Sequence, residues 1–223
     1  RQRARWSFNG TAASTIFFGM LAITFAWQVD QNLEKDLVTL RVPLFERETL
    51  KQDWWQSDWQ SLPRDRTELK SMPAHEFNFQ FAGNPDSLTQ ALAWQNWQKA
   101  ELANWKWPIL SMNPEPSELT LPPLKKDFRG HAGELLLHRL GGDATTQETL
   151  RLWDSGMRLN PGGETVYLGQ VATEVLIQRL RLFSYWSAKP VSRLELEQWK
   201  EEVSGLDIKW ADEGMLLIRE PVN

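Results

Sequence analysis

Residues 6–29 contain no ionisable side chain, and this feature restricts the possible structures of the chain more than any other. The segment follows Arg1, Arg3 and Arg5, and Asp30 ends it. As an α-helix it would be about 36 Å long, enough to cross a hydrocarbon layer of about 30 Å with some tilt. The sequence therefore predicts a transmembrane helix within residues 1–36.

Two other structures could produce such a run, namely a signal peptide and a buried core helix. A signal peptide has a shorter apolar region, of about 7–15 residues, and a cleavage site between small residues. This segment instead ends in Ala26, Trp27 and Gln28. Trp6 and Trp27 lie near its two ends, where indole rings favour the membrane interface. We therefore favour a membrane helix.

The charges around the segment predict its orientation. Positively charged residues precede it, while Asp30, Glu34 and Asp36 follow it. Under the positive-inside bias, the N-terminus would be cytoplasmic and the rest of the chain would lie outside. Because the chain opens on Arg rather than Met, we expect it to be the C-terminal part of a longer membrane protein.

The composition of the remaining residues excludes several classes of function. Residues 37–223 suit one domain. The net charge of −4 includes the arginines at the start, so the domain itself is acidic and disfavours nucleic acid as a partner. The chain has no cysteine, which excludes disulfides, thiolate metal sites and a cysteine nucleophile. The lipid bilayer is the partner that the sequence predicts.

The 13 tryptophans admit three interpretations. Indole rings suit core packing, a membrane-interface belt or a ligand platform, and the sequence does not choose among them. Trp54, Trp55 and Trp59 recur at helical spacing within residues 49–62, which predicts an amphipathic helix with a tryptophan face. The predicted membrane-interface residues are therefore Trp6, Trp27, Trp54, Trp55 and Trp59.

Periodic patterns after residue 36 predict an α+β domain with a largely antiparallel sheet and a few packed helices. Besides 49–62, helices are expected after Asn84, ending near Asn96, and from Ser192 to Gly205, where the caps have the right spacing. Strands are expected at 77–81, 134–140, 148–153, 165–171, 174–186, 206–210 and 215–219, with a short strand or linker at 37–44.

No catalytic motif, metal site or cofactor site is predicted. His131 follows Arg129 in a loop and could face a ligand, and Trp153, Asp154 and Arg158 form a second polar and aromatic group. The sequence around Ser155 lacks the small-residue pattern of a nucleophile elbow. The candidate ligand-binding residues are Arg129, His131, Trp153, Asp154 and Arg158.

Several phrases of this sequence resemble one known domain family. They are Trp55–Pro63, Phe77–Gly83, Asn113–Pro114 with Leu121–Pro122, Leu150–Gly156 and Tyr167–Gly169. In this order, over about residues 37–220, they resemble the LssY C-terminal domain. Where a His-containing turn is expected before the Arg, this chain has Lys125–His131.

The resemblance implies a location and a molecular context. In that family the domain often follows a membrane lipid-phosphate phosphatase domain, sometimes with a DedA-type domain before it. The implied partner is thus an upstream membrane domain of the same polypeptide, in a bacterial inner membrane, with this domain in the periplasm. None of the phosphatase motifs is present in this sequence, so no catalytic residue is carried over.

Three hypotheses follow from the sequence. The first is a non-catalytic accessory domain of a lipid-phosphate phosphatase, acting in substrate approach, regulation or interdomain packing. The second is a tethered hydrolase with an unrecognised site near His131, Trp153, Asp154 and Arg158. The third is a module that binds envelope lipids or glycans through its tryptophans.

Overall fold

The protein is described here by a computed structural model that covers residues 10–40, 44, 46–66, 76–101, 107–112, 121–124, 126–141, 145–179, 183–211 and 214–221. The chain forms two compact units, Arg1–Val42 and Pro43–Asn223. The boundary lies a few residues after the one expected between residues 36 and 37.

The first unit contains one long helix, α1 (Gly10–Leu40). It continues through Asp30, Glu34 and Asp36, and its last four residues were expected to begin a strand or linker. Large apolar side chains of α1 are exposed to solvent: Ile16, Phe17, Phe18, Met20, Leu21, Ile23, Phe25 and Trp27. The predicted transmembrane helix is not found, since no helix in the described ranges is both long enough and apolar enough to cross a membrane.

The second unit has the predicted α+β character. In chain order its elements are β1 (Arg47–Leu50), α2 (Lys51–Gln56), β2 (Phe79–Ala82), α3 (Pro85–Leu92), β3 (Gln98–Lys99), α4 (Trp107–Ser111), β4 (Asp127–Phe128), β5 (His131–Ala132), β6 (Leu135–Leu140), β7 (Thr146–Asn160), β8 (Glu164–Arg179), β9 (Phe183–Lys189), α5 (Arg193–Glu202), β10 (Asp207–Trp210) and β11 (Leu216–Arg219).

Local sequence signals account for most helix ends. The Asn84 side chain accepts a hydrogen bond from the Asp86 backbone N–H and caps α3, and Ser192 with Glu195 forms a capping box on α5. Asn96 is left-handed, with φ of 61°, as the sequence predicts. The predicted helix at 49–62 is wrong in part, because it divides into β1, α2 and a 3-10 turn at Asp58–Ser61.

A long hairpin of β7 and β8 forms the centre of the sheet. Each strand has a different neighbour along each half of its length: β7 pairs first with β6 and then, in parallel, with β1. In the same way β8 pairs first with β2 and then with β9. Among the described residues the strand order is β10–β11–β2–β8–β7–β6–β3, mostly antiparallel, which confirms the predicted sheet type.

The two faces of this sheet bury different residues. On the first face, Leu150 and Leu152 pack with residues of α3 and α5, including Leu88 and Trp199. We call this the helix face. On the second face, the Trp54 side chain and its apolar neighbours form a separate core. Since successive side chains of a strand alternate between faces, Arg151 and Trp153 lie on the second face.

Candidate functional site

A pocket of about 220 Å³ opens on the second face, beside the middle of β7. Two of its sides come from β3 and from the start of β6, and the third comes from the segment before β4. The lining combines cationic side chains with apolar ones. The lining residues are Lys99, Ala100, Lys126, Gly133, Glu134, Leu135, Leu136, Arg151 and Trp153.

Arg151 is the most deeply buried charge of this pocket, with 3% of its surface exposed. Its position follows from strand alternation, because its neighbours Leu150 and Leu152 occupy the helix face. The register places Arg151 opposite Gln170 and places Gln147 opposite Glu174, so these four side chains share the second face. All four are buried, which makes this half of the face a polar layer inside the protein.

Glu174 is the acceptor at the centre of this polar layer. Its Oε1 accepts hydrogen bonds from Lys126 Nζ at 2.8 Å and from Arg151 Nη2 at 3.2 Å, and its Oε2 accepts from Gln147 Nε2 at 3.0 Å. Arg151 Nη2 also donates to the Leu124 carbonyl at 3.3 Å. One carboxylate therefore holds two cations from different parts of the chain.

Burial and charge shift the pKa values of these groups in definite directions. Desolvation lowers the pKa of Arg151 and of Lys126, and the two cations also repel each other. Burial by itself would raise the pKa of Glu174, but Arg151 and Lys126 outweigh it and hold that pKa below its usual range. Glu174 is consequently ionised, and the cations share a single close counter-charge.

The hydrogen bonding of Arg151 is incomplete. Its Nε and Nη1 are buried and have no partner among the described residues, although these two nitrogens carry most of the N–H donors of the group. Arg66, whose Nη1 donates to the Asp127 carbonyl at 3.2 Å, adds a further positive charge nearby. Unsatisfied buried donors are uncommon in native proteins and require an explanation.

The five predicted ligand-binding residues all lie in the described part of the chain, and their positions differ. Trp153 lines the pocket, is 1% exposed and donates from Nε1 to the Lys126 carbonyl at 2.9 Å. The other four do not line it. Arg129 is exposed, in a left-handed conformation with φ of 51°, and its guanidinium lies 5.2 Å from the Phe128 ring centroid.

Asp154 and Arg158 form a closed ion pair at a bulge in β7. Arg158 Nη1 donates to Asp154 Oδ1 at 2.9 Å, and Nη2 donates to Oδ2 at 2.7 Å. The Gly156 N–H also donates to Oδ1 at 2.7 Å. Partial burial opposes ionisation of Asp154, but Arg158, Gly156 and the half-buried His131 lower its pKa. The structure thus brings His131, Asp154 and Arg158 together, with both carboxylate oxygens already occupied.

The predicted membrane-interface tryptophans also separate into groups. Trp54 and Trp59 are 0% and 2% exposed, because they fill the core of the second face, as in the packing interpretation of the tryptophans. Trp55 is half-buried under Arg219 and Lys209. Trp27 is exposed on α1, and Trp6 lies outside the described residues.

Sequence reasoning missed Lys99, Lys126, Arg151 and Glu174. The available signal was one charged residue, Arg151 or Glu174, within each of two apolar strand runs. That pattern is equally typical of a strand in a sheet with one face exposed to solvent. For metals, no group of three or more His, Asp or Glu side chains within the described ranges could hold an ion.

Comparison with known proteins identifies one family. The sequence model described as LssY C-terminus matches residues 59–182, which include β2 to β8 and every residue of the pocket. No curated protein matches the chain, and no solved structure does.

Proposed function

Because this chain belongs to the LssY C-terminus family, we propose that it is a membrane-attached accessory domain without a catalytic centre of its own. On this proposal α1 attaches the domain to a bacterial inner membrane. Residues 43–223 then lie in the periplasm, beside a lipid-phosphate phosphatase domain of the same polypeptide. The role is substrate approach, regulation or interdomain packing.

The exposed apolar side chains of α1 carry the proposal. They are 52–71% exposed in the isolated chain, and they occupy the part of α1 that has no ionisable residue. Contiguous exposed apolar surface is typical of contact with lipid or with another protein.

The chemistry of the main unit supports a role without catalysis. The described lining of the pocket offers cations, apolar groups and the exposed carboxylate of Glu134, but no Ser, Cys or His that could act as a nucleophile with its base. Asp154, whose pKa is influenced by His131, accepts from Arg158 through both oxygens. A group held in this way is poorly placed to exchange a proton with a substrate.

Cysteine labelling in intact bacterial cells tests the attachment and the orientation. The chain has no native cysteine, so one cysteine introduced at the exposed Gln52 reports its location alone. We expect the protein to stay with membranes after an alkaline wash and to react with an impermeant maleimide before lysis. Release by the wash, or labelling only after lysis, would refute the proposal.

A charge-insertion pair supplies the matched control. Leu21→Asp places a carboxylate on the apolar part of α1 and should release the protein from membranes. Leu194→Asp makes the same change at an exposed position of α5 and should leave the distribution unchanged. Equal behaviour of the two variants would show that α1 is not the attachment.

The proximity of His131 to Asp154 favours a tethered hydrolase as the second candidate. Purified protein assayed against phosphate, acyl and glycosyl esters decides between the two. Turnover that is lost in His131→Gln would support the hydrolase, whereas no turnover on any of the substrates would eliminate it.

A further inference from the structure

The buried and partly buried cations beside the pocket outnumber the carboxylates that are close to them. Within the described residues, Arg66, Lys126 and Arg151 lie close enough to repel one another, and Glu174 and Asp127 oppose them. Lys99 lies at the rim of the pocket, but its Nζ is already paired with Asp86 Oδ1 at 3.3 Å, and Glu134 is exposed to solvent, so neither changes the balance of the inner charges. An unpaired charge is costly to remove from water. The surplus positive charge therefore needs a counter-charge.

Neither water nor proton release removes the surplus completely. Water molecules could satisfy the free donors of Arg151, but they would not neutralise its charge. An arginine keeps its proton in proteins. Lys126 could lose its proton more easily, yet its Nζ already donates to Glu174 at 2.8 Å. An anion in the pocket would meet both the hydrogen-bonding and the charge requirement.

We propose that this pocket binds a small organic oxyanion, a carboxylate or phosphate group on a short apolar stem, with Arg151 and Lys126 as its charged partners. Arg151 offers two nitrogens that are without a partner among the described residues, and charge-assisted hydrogen bonds to oxyanions are the strong ones. Trp153, Leu136 and Ala100 provide apolar lining for the stem.

The size of the pocket restricts the ligand further. Its volume of 220 Å³ is smaller than the range of about 300–1,000 Å³ that is usual for drug-sized ligands. A ligand of few heavy atoms fits, as does the end group of a larger molecule that remains outside. This inference goes beyond the proposed function and does not require α1 to be attached to a membrane.

Calorimetric titration of the whole chain, purified in detergent, tests the ligand class. The probes are inorganic phosphate, butyl phosphate and butyrate, with n-butylamine as the probe of the same stem and opposite charge. We expect butyl phosphate, butyrate or both to bind, and the one that binds more tightly identifies the preferred head group. Tighter binding of butyl phosphate than of inorganic phosphate would confirm the apolar wall. No anion binding, or equal binding of butylamine, would overturn the proposal.

Substitution of Arg151 tests the site itself. Arg151→Met keeps an unbranched, flexible stem and removes the guanidinium with its charge, and it should weaken anion binding at least about tenfold. The matched control is Lys200→Gln, which removes a cation from a surface pair with Glu197 and should leave the affinity unchanged. Unchanged affinity in a folded Arg151→Met protein would overturn the proposal.

A second pair of variants keeps the proposal testable if Arg151→Met does not fold. Ala100→Glu introduces a carboxylate at the pocket, while Ala100→Gln introduces the same bulk without charge. We expect Ala100→Glu to have the higher Tm, with a gap that narrows as salt screens the new pair. Ala100→Glu should also no longer bind butyl phosphate or butyrate. A Tm for Ala100→Glu equal to or below that of Ala100→Gln would overturn the proposal.

Discussion

The second face of the sheet buries polar side chains in two regions, and the two differ in how completely their hydrogen bonds are satisfied. Near β2, Gln80 Oε1 accepts from Trp54 Nε1 at 3.0 Å, and Gln80 Nε2 donates to the Trp59 carbonyl at 2.9 Å. Near the middle of β7, Arg151 is similarly buried, yet two of its nitrogens lack a described partner.

The difference separates a structural role from a binding role. A buried amide whose donor and acceptor are both satisfied stabilises one arrangement of the core and needs nothing else. A buried guanidinium with free donors and surplus charge leaves a requirement that an external group can meet. Burial alone, which is nearly equal for Gln80 and Arg151, would not have distinguished these two regions.

The largest expected effect concerns the region near β2, where the hydrogen bonds of Gln80 are satisfied. Trp54→Ala would leave a cavity in the core of the second face and would remove the donor to Gln80 Oε1. We expect the free energy of unfolding to fall by about 4 kcal/mol, as is usual for a buried aromatic residue replaced by alanine. Chemical denaturation measures this loss.

Trp94→Ala is the matched control, because Trp94 is 88% exposed. Its effect should stay within about 0.5 kcal/mol. Equal losses in the two variants would break the comparison, since Trp54 would then not belong to a packed core.

The next effect concerns the region near the middle of β7, where the hydrogen bonding of Arg151 is incomplete. Glu174→Gln would leave Arg151 and Lys126 buried without their shared carboxylate. We expect a loss of about 3 kcal/mol of stability, because breaking a buried ion pair leaves an uncompensated charge. Denaturation of the variant with and without added phosphate sharpens the comparison, since an anion in the pocket should restore part of the loss.

Glu197→Gln removes a carboxylate from the half-exposed pair with Lys200 and should cost at most about 1 kcal/mol. If Glu174→Gln were as mild as this control, the polar layer would not depend on its carboxylate.

The smallest effect concerns Asp154, which accepts hydrogen bonds from Arg158 through both oxygens but is partly exposed to solvent. Its pKa is lower in the folded protein than the usual 3.8, so its stabilisation is complete above pH 3.8 and is lost as the pH falls through the folded value. Asp154→Asn should cost at most about 1 kcal/mol near neutral pH. The difference from the unmodified protein should shrink in acid.

A double-mutant cycle with Arg158→Met checks the cause. If the pair with Arg158 accounts for the loss, the second substitution should add little to the first. A pH-independent difference would instead assign the effect of Asp154→Asn to the geometry of the β7 bulge.

Much of the fold could be predicted because it depends on short-range signals. The cap at Asn84, the capping box at Ser192 and the left-handed Asn96 each involve residues a few positions apart. Prediction failed within 49–62, where helical spacing of the tryptophans continued across the break at Ser57. There, packing against the core decided the local structure.

The candidate site could not be predicted in the same way. Lys126, Arg151 and Glu174 are distant in sequence, and only the pairing of β7 with β8 brings the last two onto one face. The predicted group of His131, Asp154 and Arg158 does come together, but it is a closed pair beside a bulge. Of the predicted ligand-binding residues, only Trp153 lines the pocket.

By itself, the sequence determined most of the element types, the α+β class, the family and the uncharged segment of α1, because each depends on local spacing or on a pattern of residues in order. The tertiary structure decided which tryptophans are core and which charges are buried. Strand alternation places Arg151 and Leu150 on opposite faces, but it does not say whether the second face is covered. Leu124 and Lys126, together with α2, cover that face, and polar side chains that would otherwise be exposed on it are therefore buried.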